Sequence, residues 1–210
     1  MLIHFDYDGV LVDSFHQLLE ISRQIQIEMK CGRPPCAEDL RTIPNLTLEE
    51  LGRFIGIPEA QAGHFASQMF QRLREAPHPP EVFPGIPSVL RVLSRTHTIV
   101  VITSNARSVV EETLLRNGVD DTVADILDGE MPGSKGDKLR WSLKRWAFEP
   151  TRAFMVGDAV SDILAGRNAG VKTVAVTWGF QPRERLLSAQ PDFVVNHPQE
   201  LLDLFRSQGT

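Results

Sequence analysis

The stretch FDYDG sets two carboxylates, Asp6 and Asp8, two residues apart at the end of an apolar run, with Gly9 directly behind them. Carboxylates this close repel one another at neutral pH unless a cation offsets them. Other apolar runs also end in polar residues: TIVVITSN in Ser104 and Asn105, and RAFMVGDAVSD in Asp158, with Asp162 four residues on. Pooled, these carboxylates make an acidic site whose hard oxygens select a hard divalent ion such as magnesium. Magnesium commonly shares a few carboxylates with waters and phosphate oxygens, so phosphate is the expected substrate group. Such a site takes a hydroxyl donor, which Ser104 offers. It also takes a lysine to neutralise phosphoryl charge, which GSKGDKLRW offers as Lys135 or Lys138.

For these residues to meet, the runs that end in them must be strands of one sheet. MLIHF, TIVVITSN, RAFMVG and KTVAVT are short and apolar, and ADILDG and DFVV are weaker runs of the same kind. Between them lie helix-patterned stretches such as GIPSVLRVLSR, ARSVVEETLLRNG, GDKLRWSLKRWAF and PQELLDLFRSQ. The alternation predicts an α/β fold, a doubly wound, Rossmann-like parallel sheet with helices on both faces. In such a sheet ligands bind beyond the carboxyl ends of the strands, where the polar residues above would converge.

Residues 15–82 break the alternation. They read as amphipathic helices, FHQLLEISRQIQIEMK, TLEELGRFIG and EAQAGHFASQMFQRLREA, separated by GRPP and IPN breaks and closed by PHPPEVFPG. The expectation is an inserted all-helical lobe at 15–82, hinged near Ser14 and Pro84, on a core formed by 1–14 and 83–210.

A chain of 210 residues, 42% hydrophobic and 23% charged, can bury one core and a small extra lobe. Its formal net charge of −5 argues against nucleic acid as a partner. No apolar stretch approaches the roughly 18 residues of a membrane span. The amino terminus reaches Asp6 too soon for a signal peptide, so a cytoplasmic protein without membrane partners is expected. Cys31 and Cys36 lack a second ligand pair for zinc and read as structural thiols, and His4 reads as a hydrogen-bonded core histidine.

Taken in order, FDYDGVLVDS, VVITSN, SKGDKL and VGDAVSDILAGRNAG resemble the four motifs of the haloacid dehalogenase-like hydrolase superfamily. The resemblance spans the whole chain once 15–82 is taken as the helical cap, and it is strongest to the phosphoglycolate phosphatase and β-phosphoglucomutase branch. It implies a magnesium-dependent phosphatase acting on a small phosphorylated metabolite, as a monomer or homodimer. Asp6 would be the nucleophile that forms an aspartyl-phosphate. Asp8 would be the acid and base, ligating the metal through its backbone carbonyl.

Asp158 would be the second carboxylate ligand and Asp162 its orienting neighbour. Ser104 would hold a phosphoryl oxygen, with Asn105 and Arg107 bordering it. Aligning the family's helix puts Lys135 in the site and Lys138 on the first turn of that helix. Arg41 is the cap residue expected to meet an anionic group on the substrate. Asp8 argues against dehalogenation, whose leaving group needs no proton, and Lys30, the only cap lysine, lacks the pattern of the phosphonate-cleaving branch. A phosphomutase would use the same residues, returning the phosphoryl group to a sugar. A receiver-like signalling module shares the acidic pocket but is about half this length, with its phosphorylated aspartate on a later strand.

Overall fold

Odd and even residues of the first strand, β1 (Leu2–Phe5), part to opposite faces of a sheet. Ile3 and Phe5 join one apolar layer with Ile99, Val101 and Val156, whereas Leu2 joins another with Val100, Ile102 and Met155. The computed structural model, which describes residues 1–43 and 47–208, thus buries the central strands on both faces, as near-continuous apolar runs require.

After β1 the chain leaves the sheet through β2 (Val12–Asp13) and comes back through β3 (Glu81–Val82). The two short strands pair antiparallel, with Val12 opposite Val82. The sheet then continues with β4 (Thr98–Ile102), β5 (Asp125–Leu127), β6 (Ala153–Gly157), β7 (Lys172–Val176) and β8 (Phe193–Val195). All six of its strands run parallel in the order β5-β4-β1-β6-β7-β8. Strand order therefore reverses at β1, the topological switch at which doubly wound sheets bind ligands.

Between β2 and β3 lie α1 (Phe15–Met29), α2 (Ala37–Thr42), α3 (Leu48–Phe54) and α4 (Glu59–Arg74). They bury a cluster of their own that includes Leu19, Ile25, Leu40, Leu51, Phe65 and Met69. The core helices follow: α5 (Ile86–Leu93), α6 (Arg107–Arg116), α7 (Lys135–Arg145), α8 (Val160–Ala169), α9 (Arg183–Ser188) and α10 (Glu200–Ser207). Helices α5, α6 and α10 cover the Phe5 face, and α7 and α8 the Leu2 face.

Helix α2 and the β2–β3 pair were not expected from the sequence. Asp39 explains the helix, because its carboxylate accepts the Cys36 N–H (2.7 Å) at the helix start and both guanidinium donors of Arg33 (2.7 and 2.6 Å). Of the expected IPN break, Ile43 ends α2, and Pro44 and Asn45 lie outside the described residues. His4 is fully buried, donating from Nδ1 to the Phe154 carbonyl (2.9 Å) and accepting at Nε2 from Ser142 Oγ (3.0 Å). Among the described residues no helix is long and apolar enough to cross a membrane.

Candidate active site

Asp6 continues the ladder one residue beyond β1, its N–H donating to the Val156 carbonyl at 2.9 Å. Period-two alternation turns its side chain towards α7 and α8. Its Oδ1 accepts the Tyr7 N–H (2.8 Å), and its Oδ2 lies 2.8 Å from Lys135 Nζ. The chain then bends at Gly9, whose φ is +75° and where a Cβ would lie 2.1 Å from Asp158 Oδ2. Only glycine meets both demands. Gly179 is crowded by the same carboxylate, since a Cβ there would lie 2.3 Å from the Asp158 Cβ.

Lys135 is the first residue of α7. Ser134 caps that helix, its Oγ accepting the Asp137 N–H (3.2 Å) while the Asp137 carboxylate accepts the Ser134 N–H (2.9 Å). From this fixed start Lys135 reaches both Asp6 and Asp162, the latter at 2.5 Å. Asp162, three residues into α8, uses its other oxygen to accept the Ala159 N–H (3.1 Å). Asp158, directly after β6, accepts the Phe180 N–H at 2.6 Å.

Asp6, Asp158 and Asp162 each bring an oxygen within 4.8 Å of the other two. Burial pushes the Asp6 carboxyl up to about 7, against the opposing pull of Lys135 and with added repulsion from Asp162 and Asp8. Burial likewise drives Asp158 well above the ordinary carboxylate range, reinforced by the charges of Asp162 and Asp6. Burial works against the Lys135 ammonium, but Asp162 and Asp6 outweigh it and hold the amine protonated. One ammonium cannot balance three carboxylates if all of them ionise, and these oxygen donors fit a hard divalent cation.

Asp8 stands apart from this cluster. Its Oδ1 accepts from Ser14 Oγ (2.5 Å) and its Oδ2 from Asn105 Nδ2 (2.7 Å), so both oxygens are held. Burial raises its pKa, opposed by the Ser14, Lys135 and Asn105 interactions.

The residue that closes β4 is Thr103 rather than Ser104. The Thr103 N–H continues the ladder to the Leu127 carbonyl (3.0 Å), and its buried Oγ1 accepts the Asn105 N–H (2.9 Å). Ser104 is exposed on the rim of a cavity that opens over Asp6, Asp8 and Asp158. The clue in the sequence is that threonine, being β-branched, belongs to the apolar run it ends. Lys138 Nζ donates to the carbonyls of Thr103 (3.2 Å) and Asp128 (2.5 Å), tying the loops after β4 and β5 together.

Arg41 does not line the cavity. Its guanidinium lies 5.2 Å from the centre of the Phe15 ring, in a separate hollow with His16 and Trp178. Arg107 pairs with Asp125 (3.3 Å) and Asp128 (3.7 Å). Sequence reasoning missed Gln181, fully buried, whose Oε1 accepts the Val160 N–H (2.9 Å) while its Nε2 donates to the Ile43 carbonyl (2.9 Å).

A cavity of about 630 Å³ opens over Asp6, Asp8 and Asp158, with α1–α4 forming its roof. The profile of the haloacid dehalogenase-like hydrolases matches residues 3–176. The phosphoglycolate phosphatase of Synechococcus elongatus is 30% identical over 202 residues, covering 95% of this chain and 94% of its own length. The pyrophosphatase PpaX of Bacillus velezensis is 27% identical over 208 residues, covering 96% and 94%. In fold, a haloacid dehalogenase-like hydrolase from Streptococcus pneumoniae matches with a TM-score of 0.79 at 24% identity, over 97% of both chains. A profile match across most of the chain, on a sheet whose order reverses where the acidic residues gather, has one reading: the chain belongs to the haloacid dehalogenase-like hydrolase family.

Proposed function

We propose that this hydrolase releases phosphate from a small organic phosphomonoester, with Asp6 as the nucleophile. The observation that carries the reading is Asp6 itself, a carboxylate at the sheet's switch point, 2.8 Å from the Lys135 ammonium and clustered with Asp158. The names of the Synechococcus and Bacillus relatives, a phosphoglycolate phosphatase and a pyrophosphatase, support the same class of bond.

In this reading an Asp6 oxygen attacks phosphorus in line, forming an aspartyl-phosphate as the bond to the leaving oxygen breaks. The Lys135 ammonium offsets charge on the phosphoryl oxygens, which the Thr103, Ser104 and Asn105 segment borders. Asp8, as the acid, gives its proton to the departing alkoxide; the burial that raises its pKa favours that form. As the resulting carboxylate it then takes a proton from the water that attacks phosphorus and restores Asp6. The Asp6 and Asp158 carboxylates and the Asp8 carbonyl would hold magnesium, which when bound supplies positive charge to draw in the phosphate. Asp162 keeps Lys135 and the start of α8 in place, and α1–α4 serve as a cap that excludes bulk water.

Phosphate release from a panel of monoesters, with magnesium and with chelator, tests the proposal. Release is expected only with the metal, and Asp6→Asn is expected to fall to background. Full-rate release by Asp6→Asn would remove Asp6 from the nucleophile's role.

A further inference from the structure

The cavity is divided by chemistry. Its acidic and polar groups lie on the core side beside Ile102, Met131 and Leu164, whereas its roof is aliphatic: α1–α4 contribute Leu18, Leu40, Leu48, Leu51 and Leu73, of which Leu48 is half-buried and the other four are packed into the cluster the helices share. Thr47 is the one polar side chain that the roof adds among the described residues. The described cations beside the cavity already hold acceptors, Lys138 through the carbonyls of Thr103 and Asp128. Lys135 is held between Asp6 and Asp162, Arg140 pairs with Asp137 at 2.7 Å, and Arg41 lies over Phe15 in the other hollow.

A carboxylate or second phosphate carried on the substrate would therefore be stripped of water against apolar side chains, with every described cation beside the cavity already holding an acceptor. An alkyl or aryl group would instead gain from burial there. The volume of about 630 Å³ lies within the roughly 300–1,000 Å³ of pockets that enclose ligands of drug size, which exceeds what a two-carbon acid needs.

We infer that the organic moiety on the substrate's phosphate is an apolar alkyl or aryl group of several carbons, seated against Leu48 of the roof and Met131 and Leu164 on the core side. This rests on the phosphatase reading and departs from the substrates named for the Synechococcus and Bacillus relatives.

The test is calorimetric titration of the unmodified, magnesium-loaded protein with non-hydrolysable alkylphosphonates from ethyl to octyl. In parallel, turnover of the matching alkyl phosphates is measured. Kd is expected to fall about two- to fourfold for each added methylene until the roof is filled. Hexylphosphonate should bind about tenfold or more tighter than 3-phosphonopropionate, a carboxylated mimic of phosphoglycolate. Leu48→Lys, at a half-buried position, should narrow or reverse that preference. A Kd independent of chain length, or tighter binding of 3-phosphonopropionate, would overturn the inference. Affinity that grows with chain length without turnover of the matching esters would uphold the apolar pocket and overturn the phosphatase reading, so the two fail separately.

Discussion

Asp8 and Asn105 act as a unit at the scale of single residues. The Asn105 amide donates to Asp8 Oδ2 at 2.7 Å, so the amide orients the proposed acid rather than being free to bind phosphate. Asp8→Asn is expected to lower kcat about 10²-fold or more while magnesium affinity, measured by calorimetry, stays within about twofold. Asn105→Ala should lower kcat about tenfold. The double variant should be no slower than Asp8→Asn, because a positioning residue has nothing left to position. Additive losses would show that Asn105 works through another group. The acidic residues were legible from their places at the ends of apolar runs, since carboxylates there have no apolar function. The choice between Thr103 and Ser104 was harder, because it turns on where the strand stops within one residue and only the β-branching of Thr103 marks it. Lys135 and Lys138 were separable in principle: Ser134 and Asp137 form a helix-capping pair that fixes Lys135 as the first helical residue.

Among the elements, the loop after β7 links the sheet to α1–α4 at two adjacent residues. The Phe180 N–H holds the Asp158 carboxylate, while its ring sits in the apolar cluster of α1–α4, edge-on to Phe15 with centroids 5.2 Å apart. Gln181 bridges the start of α8 to the end of α2. Gln181→Leu would leave the Val160 N–H and the Ile43 carbonyl without that partner, at a cost of about 1–3 kcal/mol for each buried group left unpaired. Urea unfolding should therefore show a loss of about 2 kcal/mol or more, and amide exchange should quicken in α2 before it does in β1. An unchanged unfolding midpoint would mean that water replaces the amide at no cost. Core strands and longer helices were readable because period-two and helical patterns persist over several residues. The β2–β3 pair was not, since two residues carry no period and Val12 pairs with Val82 across four intervening helices.

The whole molecule folds around three clustered carboxylates and one ammonium, and that couples its stability to both pH and magnesium. In the folded chain without a cation, Asp6 titrates near 7 instead of its ordinary 3.8, chiefly because it is buried. Between those values the folded state holds more protons than the unfolded state, so this group's contribution to stability falls as pH rises towards 7. A bound cation needs the ionised carboxylate and must displace that proton. Apparent magnesium affinity should therefore weaken at least tenfold per pH unit below about 7, since Asp6 alone displaces one proton and the raised Asp158 adds to it. His4 works in the opposite direction. Burial lowers its pKa to about 4, so stability grows as pH rises from about 4 to 6.5. That contribution is the same with and without magnesium and cancels in their difference. The expected result is a magnesium-induced rise in Tm that is small near pH 5 and grows through pH 7. It would correspond to about 2.7 kcal/mol when magnesium is at a hundred times its Kd. Asp158→Asn should abolish the rise at every pH. A rise that is independent of pH, or that survives Asp158→Asn, would mean that the stabilising ion binds somewhere other than among these buried carboxylates.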